Sequence, residues 1–398
     1  MKITYPYFDK SSLKKVEQVL KSGRVNYWTG NECKDFEKEF SNYHKVKYSL
    51  SVSNGSVALE IALKALNLKK TDSIIVTPRS FVISASCVLN LGLKPIFADV
   101  DDDGNLSIKG IKKAYNKNVK AIIVVHLNGL SCDLDPILKF VKKNKLFLIE
   151  DCSQAHGATY KGEKVGSFGH ISTWSFCQDK IMSTGGEGGM ISTNNTKLWL
   201  KLWSLKDHGK NYKSVFYKKH KIGFKWLHDD LGSNYRMTEM QAAIGREQLK
   251  SLDKQIKKRN LIANLYLNGL KDYYLKYDIL KKPDFKFQTY PLKQNSKKYN
   301  QYIHAFYRLN LFINKNKIKQ NKLIQQLNKN KINCGVGSCP EIYREKVFKK
   351  LKFYPKKRLV NAKLLGETSI TFPINPNISL TKVKSEINFI KKILKSYL

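Results

Sequence analysis

Residues 146–162 read LFLIEDCSQAHGATYKG, and residues 171–193 read ISTWSFCQDKIMSTGGEGGMIST. Each opens on a short apolar run rich in β-branched or aromatic residues, with little polar alternation. That pattern suits a strand buried on both faces. Leu146–Ile149 and Ile171–Phe176 are the two runs, and the same signature recurs upstream at Ser73–Thr77, Lys94–Ala98 and Ala121–His126. Between them, Ser56–Leu66 and Asp135–Asn144 carry helical periodicity. Strand and helix in alternation predict an α/β domain with a largely parallel sheet. Such sheets gather ligands at the carboxyl ends of their strands. The polar clusters that follow each run are therefore the first candidates for chemistry.

Glu150 and Asp151 end the first run, with Gln154 and His156 three and five residues beyond Asp151. A carboxylate in this place is desolvated and calls for a partner, which can be the protonated ring nitrogen of a cofactor. It reads equally well as a helix N-cap. Lys180 stands in a Gly-rich loop between two strand-like runs. Partial desolvation there would lower its pKa and free the amine for Schiff-base chemistry; an ordinary surface-loop lysine is the bland alternative. Ser175, five residues earlier, can donate to a phosphate. In SVSNGSVALEIALKAL (51–66), Ser53-Asn54-Gly55-Ser56 leads straight into a helix whose Val57, Ala58, Ile61, Ala62 and Ala65 share a face. Its free N–H groups and the Ser56 hydroxyl make an anion site, or simply a capped helix start. In LGSNYRMTEMQAAIGREQL (231–249), Thr238 and Gln241 fit a capping box, and Asn234 and Arg236 stand in the loop before it.

The chain has 398 residues, 42% hydrophobic and 11% aromatic. That excludes wholesale disorder and leaves room for two domains. No run of about 18 apolar residues suggests a membrane span, and the opening MKITYPYFDK lacks a signal-peptide pattern. Seven cysteines without a CxxC pair suggest neither a disulfide framework nor a cysteine zinc site. A cytoplasmic enzyme without a metal is the expectation. The formal charge is +40: residues 1–250 hold 39 basic and 24 acidic side chains, residues 251–398 hold 33 and 8. This shift predicts a large α/β domain over 1–250 and a small α+β domain over 251–398. In the latter, 302–313 reads as a strand, Ile318–Asn328 as a helix, and Thr381–Leu398 as a closing helix capped by Thr381. The charge raises a nucleic-acid or anionic-membrane surface. The lysines are interleaved singly with Ile, Leu and Asn, however, and no nucleic-acid motif accompanies them, so no nucleic-acid partner and no membrane insertion are expected.

In order and combination, these segments resemble the DegT/DnrJ/EryC1/StrS family of pyridoxal 5′-phosphate (PLP) aminotransferases, which act on nucleotide-linked keto sugars. The resemblance begins at SGRVNYWTGNECKDFEKEF (22–40) and includes IIVTPRSFVISASCVLNLGLKPIFADVD (74–101) and HLNGLSCDLDPI (126–137). It ends near CGVGSCPEIY (334–343) and TFPINP (371–376). It implies the PLP-dependent transferase fold type I, aspartate aminotransferase-like. It implies that Lys180 carries PLP and later shuttles the proton, that Asp151 pairs with the pyridinium nitrogen, and that Gln154 hydrogen-bonds the phenolic oxygen. Phe81 takes the place of an aromatic stacked on the ring. It further implies that Gly55, Ser56 and Ser175 bind the phosphate, and that Asn234 reaches the phosphate of the neighbouring subunit, so that a homodimer would share its active sites. His156, His208 and Arg236 are further candidates for substrate or cofactor contact.

The same resemblance implies L-glutamate as the donor, cycling PLP to pyridoxamine phosphate (PMP). GEGGM (186–190) resembles members acting at C4 of 4-keto-6-deoxy sugars, whereas those acting at C3 more often read GDGGA. The product would feed a surface glycan such as an O-antigen or capsule. The alternatives are a 3-keto sugar aminotransferase, another PLP reaction such as dehydration on the same fold, and a basic nucleic-acid-binding protein. Dehydratases of the family replace the lysine with histidine, so Lys180 favours transamination. Arg79 and the triplet Cys177-Gln178-Asp179 depart from the family's usual spelling.

Overall fold

The structure is a computed structural model that describes residues 5–281, 301–337 and 339–398. Residues 282–300 of the expected second domain, and Ser338 of the CGVGSCPEIY stretch, lie outside the described residues.

Seven strands form the central sheet: β1 (Tyr48–Val52), β2 (Ser73–Val76), β3 (Lys94–Phe97), β4 (Val119–Val125), β5 (Phe147–Asp151), β8 (Ile171–Ser175) and β9 (Gly189–Thr193). A hairpin of β6 (Thr159–Tyr160) and β7 (Glu163–Lys164) separates β5 from β8. The spatial order is β1-β9-β8-β5-β4-β2-β3. Only β9 runs against its neighbours; the other pairings are parallel. The apolar runs are continuous because both faces are covered. Ile74, Val76, Ile123 and Ile149 pack into one core layer, while Ile75, Ile122, Val124 and Leu148 pack into the other. Strand β1 was not legible from hydropathy, because its Ser49 and Ser51 are buried polar residues. Ser49 pairs with Ser192 across the sheet, and Ser51 is bound through its N–H and hydroxyl by the Glu37 carboxylate.

On the sheet lie α2 (Glu32–His44), α3 (Gly55–Ala65), α4 (Ile83–Asn90) and further helices, among them Leu134–Lys143 and Thr196–Lys206, while α1 (Lys10–Ser22) packs on the long helix that follows the capping box. The helix after the capping box runs from Glu239 to Gly269 without a break. Ala242, Leu249, Leu252 and Ile256 belong to the core beneath β8, whereas Ile262, Ala263, Tyr266 and Leu267 belong to the core of the C-terminal part. Residue 250, where the charge balance changes, therefore falls inside a helix that serves both cores. The C-terminal part is built on an antiparallel sheet of β10 (Leu280–Lys281), β11 (Arg308–Ile313) and β12 (Ser369–Pro373), with helices Gln320–Lys329 and Leu380–Lys395. The strand expected over 302–313 is confined to β11. Its lead-in is tied to the large sheet's loops, through Thr159 N–H to the Ile303 carbonyl and Ala305 N–H to the Gly129 carbonyl. The closing helix starts at Leu380 and is capped by Ser379, not Thr381. Among the described residues no helix is long and apolar enough to cross a membrane.

The start of α2 is satisfied from a distance. Asn31, its N-cap residue, makes no side-chain cap bond. The fully buried Glu239 carboxylate accepts the N–H groups of Glu32 and Cys33 instead. A negative charge at a helix N-terminus is favoured by the exposed N–H groups there. Replacing Glu239 with Ala should leave both donors unpaired, the Cys33 N–H in a buried place. The expected cost is about 2–3 kcal/mol, read as a lower urea midpoint with an unchanged m-value.

Candidate active site

The carboxyl ends of β1, β5 and β8 open onto one cavity of about 520 Å³. Asp151 is the last residue of β5 and Ser175 the last of β8. Asn54, Gly55 and Ser56 follow β1 and begin α3. The loop from β8 to β9 supplies Cys177, Asp179, Lys180 and Glu187, and β11 contributes Arg308, preceded by Tyr307. Ser80, Phe81 and Ser84 come from the segment after β2.

At the floor, Asp151 is 4% exposed. Its Oδ2 accepts from Ser84 Oγ at 3.1 Å and its Oδ1 from the Ser153 N–H at 3.1 Å. Residues 152–158 form turns, so Asp151 caps no helix. Gln154 Oε1 accepts the Asn128 N–H at 2.8 Å, so its NH2 end is the donor it offers the cavity. At α3 the Asn54 side chain caps Val57. The N–H groups of Gly55 and Ser56 precede the first helical acceptors, as at any helix start. A Cβ on Gly55 would lie 2.6 Å from Ser175 Cβ, so only glycine lets the helix start come this close to the end of β8. Gly189 permits the matching approach on the other side, because its Cβ would lie 2.5 Å from the Asn54 carbonyl oxygen. Phe81 lines the cavity and is 59% exposed.

Lys180 Nζ lies 3.2 Å from Asp179 Oδ1 and 3.4 Å from the Tyr307 hydroxyl. Burial works against its charge, but Tyr307 and Asp179 more than offset it, and the amine titrates above the ordinary lysine range. This reverses the lowered pKa expected from desolvation alone. Burial likewise opposes the charge of Asp179. Lys180, the Tyr307 hydroxyl and Arg308 outweigh it and hold the carboxyl below its usual range.

The structure thus brings Gly55, Ser56, Phe81, Asp151, Gln154, Ser175 and Lys180 to one cavity. Four other candidates stand outside its lining. His156 is fully buried against the rings of Trp174 and Phe176, and burial pushes its pKa well below the usual imidazole value. His208 is exposed on the loop after Thr196–Lys206. Arg236 is spent on an ion pair with buried Asp207 at 2.9 Å. That pair fixes the loop carrying Asn234, which is exposed and bridges to Asp207 through the backbone. Ser84, Tyr307 and Arg308 were not found from the sequence. No local pattern ties them to residues 67 to 129 positions away, although Asp179 was visible as an unusual neighbour of Lys180.

Among the described residues, one cluster of potential metal ligands, His126, Glu150 and Cys152, lies buried beneath this site. Its His126 and Glu150 are engaged. The Cys132 N–H donates to His126 Nδ1, so Nε2 carries the proton and donates to Glu150 at 3.0 Å. Glu150 also accepts the N–H groups of Gly166, Phe168 and Gly169. It anchors the loop before β8.

Residues 6–391 match the model of the DegT/DnrJ/EryC1/StrS aminotransferase family. The chain belongs to this family. An uncharacterised protein of Methanocaldococcus jannaschii is 31% identical over 98% of this chain and 96% of its own length. A GDP-perosamine synthase of Escherichia coli O157:H7 is 38% identical over 61% of this chain, a match that spans 64% of that relative's length. The solved aminotransferase from Psychrobacter cryohalolentis superposes with a TM-score of 0.93, at 41% identity and 99% coverage of both chains. A GDP-4-keto-6-deoxy-D-mannose-3-dehydratase of E. coli, solved with hydrated PLP, gives 0.84 at 26% identity, covering 98% of this chain and 99% of that one.

The chain is accordingly a PLP-dependent aminotransferase of fold type I. The residues present fit the cofactor. The cavity offers an amine for an aldehyde, a buried carboxylate for a ring nitrogen, and a glycine cradle at a helix N-terminus for a phosphate. Replacing Gly55 with Ala fills that cradle and pushes α3 off Ser175. The expected result is at least about tenfold weaker PLP binding with unchanged circular dichroism, measured by titrating the protein with PLP after its cofactor is removed.

Proposed function

We propose that this enzyme transfers an amino group from L-glutamate to a nucleotide-linked keto sugar, a 4-keto-6-deoxyhexose, in the cytoplasm, for a surface glycan such as an O-antigen or capsule. The observation that carries the sugar reading is the set of relatives: GDP-perosamine synthases of E. coli O157:H7, Vibrio cholerae and Caulobacter vibrioides match at 36–38% identity. The GEGGM spelling supports the C4 position, and its Glu187 lines the cavity. Relatives named dTDP-3-amino-3,6-dideoxy-alpha-D-galactopyranose transaminase and UDP-N-acetyl-3-dehydro-alpha-D-glucosamine 3-aminotransferase, at 35% and 37%, favour a second reading, amination at C3. Incubation with glutamate and a panel of GDP-, dTDP- and UDP-linked 3-keto and 4-keto sugars separates them. NMR of the product should place nitrogen on C4, and nitrogen on C3 would transfer the case to the second reading.

When bound, PLP supplies an electron sink at the carbon that exchanges its hydrogen. The chain does the rest. Lys180 would hold the cofactor and move the proton at its Nζ. Asp151, fixed by Ser84 and the Ser153 N–H, would present its carboxylate to the ring nitrogen and keep it protonated. Gln154 would donate from its NH2 to the phenolic oxygen, Phe81 would cover the ring, and Gly55, Ser56 and Ser175 would hold the phosphate. Arg308 offers a cation to a donor's carboxylate from the cavity wall. Replacing Asp151 with Asn should lower kcat by at least about 100-fold while the protein still folds and binds PLP. Near-normal turnover would remove Asp151 from this role.

The second part of the proposal is that two subunits share each site. Asn234 is exposed in this chain and stands outside its cavity. The segment before it exposes Tyr217, Ile222, Phe224, Trp226 and Leu231, an apolar stretch that a second copy would cover. A Lys180→Ala chain keeps a good Asn234, and an Asn234→Ala chain keeps a good Lys180. Co-refolded in equal amounts, they should recover roughly a quarter of wild-type activity, as closed two-fold pairing requires. Activity no higher than the mean of the separate variants, with subunit exchange verified, would rule out sharing through Asn234.

A further inference from the structure

Lys180 is approached by two oxygens from different parts of the chain. Asp179 comes from its own loop, and Tyr307 precedes β11 in the other half of the molecule. The Tyr307 hydroxyl donates to Asp179. Its lone pairs, and the second carboxylate oxygen, are thus left to accept from the lysine. Arg308 Nη2 lies 3.7 Å from Asp179 Oδ2, the oxygen that accepts from Tyr307, and 3.3 Å from the Tyr307 hydroxyl, completing a charged ring at the cavity wall. The lysine's backbone is also held. Tyr5 donates to the carbonyls of Lys180 and Ile181, and its oxygen accepts from the buried Arg259 at 2.9 Å. The amine therefore swings from a fixed point.

We propose that Asp179, together with Tyr307, is a resting place for the Lys180 amine, holding it as an ammonium ion between its proton transfers, when the site is empty of cofactor or the cofactor carries the amino group. This rests on the reading that Lys180 carries PLP. A lysine that carries the cofactor is released once the amino group has moved, and it must then keep a proton and an orientation until it is needed again. Two acceptors 3.2 and 3.4 Å away give an ammonium both. Asp179 is a positioning residue in this scheme, since it acts through the lysine.

The other titratable and charged groups around the amine are Cys177 and Glu187 on the same loop, Asp151 at the end of β5, His156 behind the sheet, Arg308 on β11, and Tyr5 and Arg259 beneath the lysine's backbone. Burial holds His156 neutral and pushes the Cys177 thiol up. The balance of burial against Tyr307 and Asp179 leaves the lysine above its ordinary range. Capture of PLP requires the ammonium to lose one proton to solvent. The neutral nitrogen then bonds to the aldehyde carbon, whose oxygen leaves as water. A group that stabilises the ammonium must therefore slow capture below its pKa.

The test is the rate at which the full chain, freed of PLP, regains its visible absorption when PLP is added, followed from neutral to alkaline pH. Borohydride reduction and peptide mapping are carried out on the product. Asp179→Asn should move the rate midpoint down by roughly one unit, making capture well below the midpoint about tenfold faster. Tyr307→Phe should shift it in the same direction, and Asp179→Glu should keep the wild-type profile. The variants are compared only where circular dichroism matches wild type, and Tyr307→Phe carries the test if the asparagine variant does not fold. Label on Lys180 with wild-type profiles in the variants would overturn the resting place. Label on another lysine would overturn the cofactor assignment beneath it.

Discussion

Strand β9 runs against the rest of its sheet, and the site depends on that reversal. The loop that carries Lys180 leaves β8 at its carboxyl end. A parallel successor would have to cross the whole sheet before pairing. Because β9 is antiparallel, the loop returns to the same end, and Gly189 pairs with both Ser175 and Val52. That register sets the start of α3, the end of β8 and the lysine loop side by side. The two close approaches, at Gly55 and Gly189, follow from it.

The two acids that end β5 show how one strand serves structure and chemistry together. Successive side chains point to opposite faces. Asp151 lines the cavity, where Ser84 and a backbone N–H occupy one bond to each oxygen. Glu150 turns the other way and meets His126 and three backbone N–H groups. An unpaired buried carboxylate would be costly. Here the donors hold the turn after β7 against the strand, so the neighbour of the cavity acid is fixed by a network that never reaches the cavity.

Much of this was legible in the sequence because it is local. Strands buried on both faces advertise themselves as unbroken apolar runs, and the polar residues Asp151, just after one run, and Ser175, near the end of the other, are the last residues of their strands. The capping box at Thr238 and Gln241 is a four-residue signal and is present as read. What was not legible depends on distant neighbours. Desolvation alone argued for a lowered lysine pKa, and only the fold brings Tyr307, 127 positions away, to reverse it. His156 and Arg236 sit in the right stretches, but the first turns into a ring cluster and the second is claimed by Asp207. The charge shift at 250 follows surface lysines, whereas cores are set by apolar faces, so it marked no gap between elements.

The continuous helix Glu239–Gly269 has a consequence for how the molecule comes apart. Its first half supplies apolar side chains to the core beneath β8, and its second half supplies them to the C-terminal core. Unwinding one end strips a wall from one core and weakens the frame that presents the other half of the same rod. The two cores are thereby coupled through a shared beam, roughly 46 Å long at the usual rise per residue. Severing the chain at the charge boundary would leave an apolar stripe bare on each piece. The halves are distinct in architecture, yet one helix forms part of the wall of both cores.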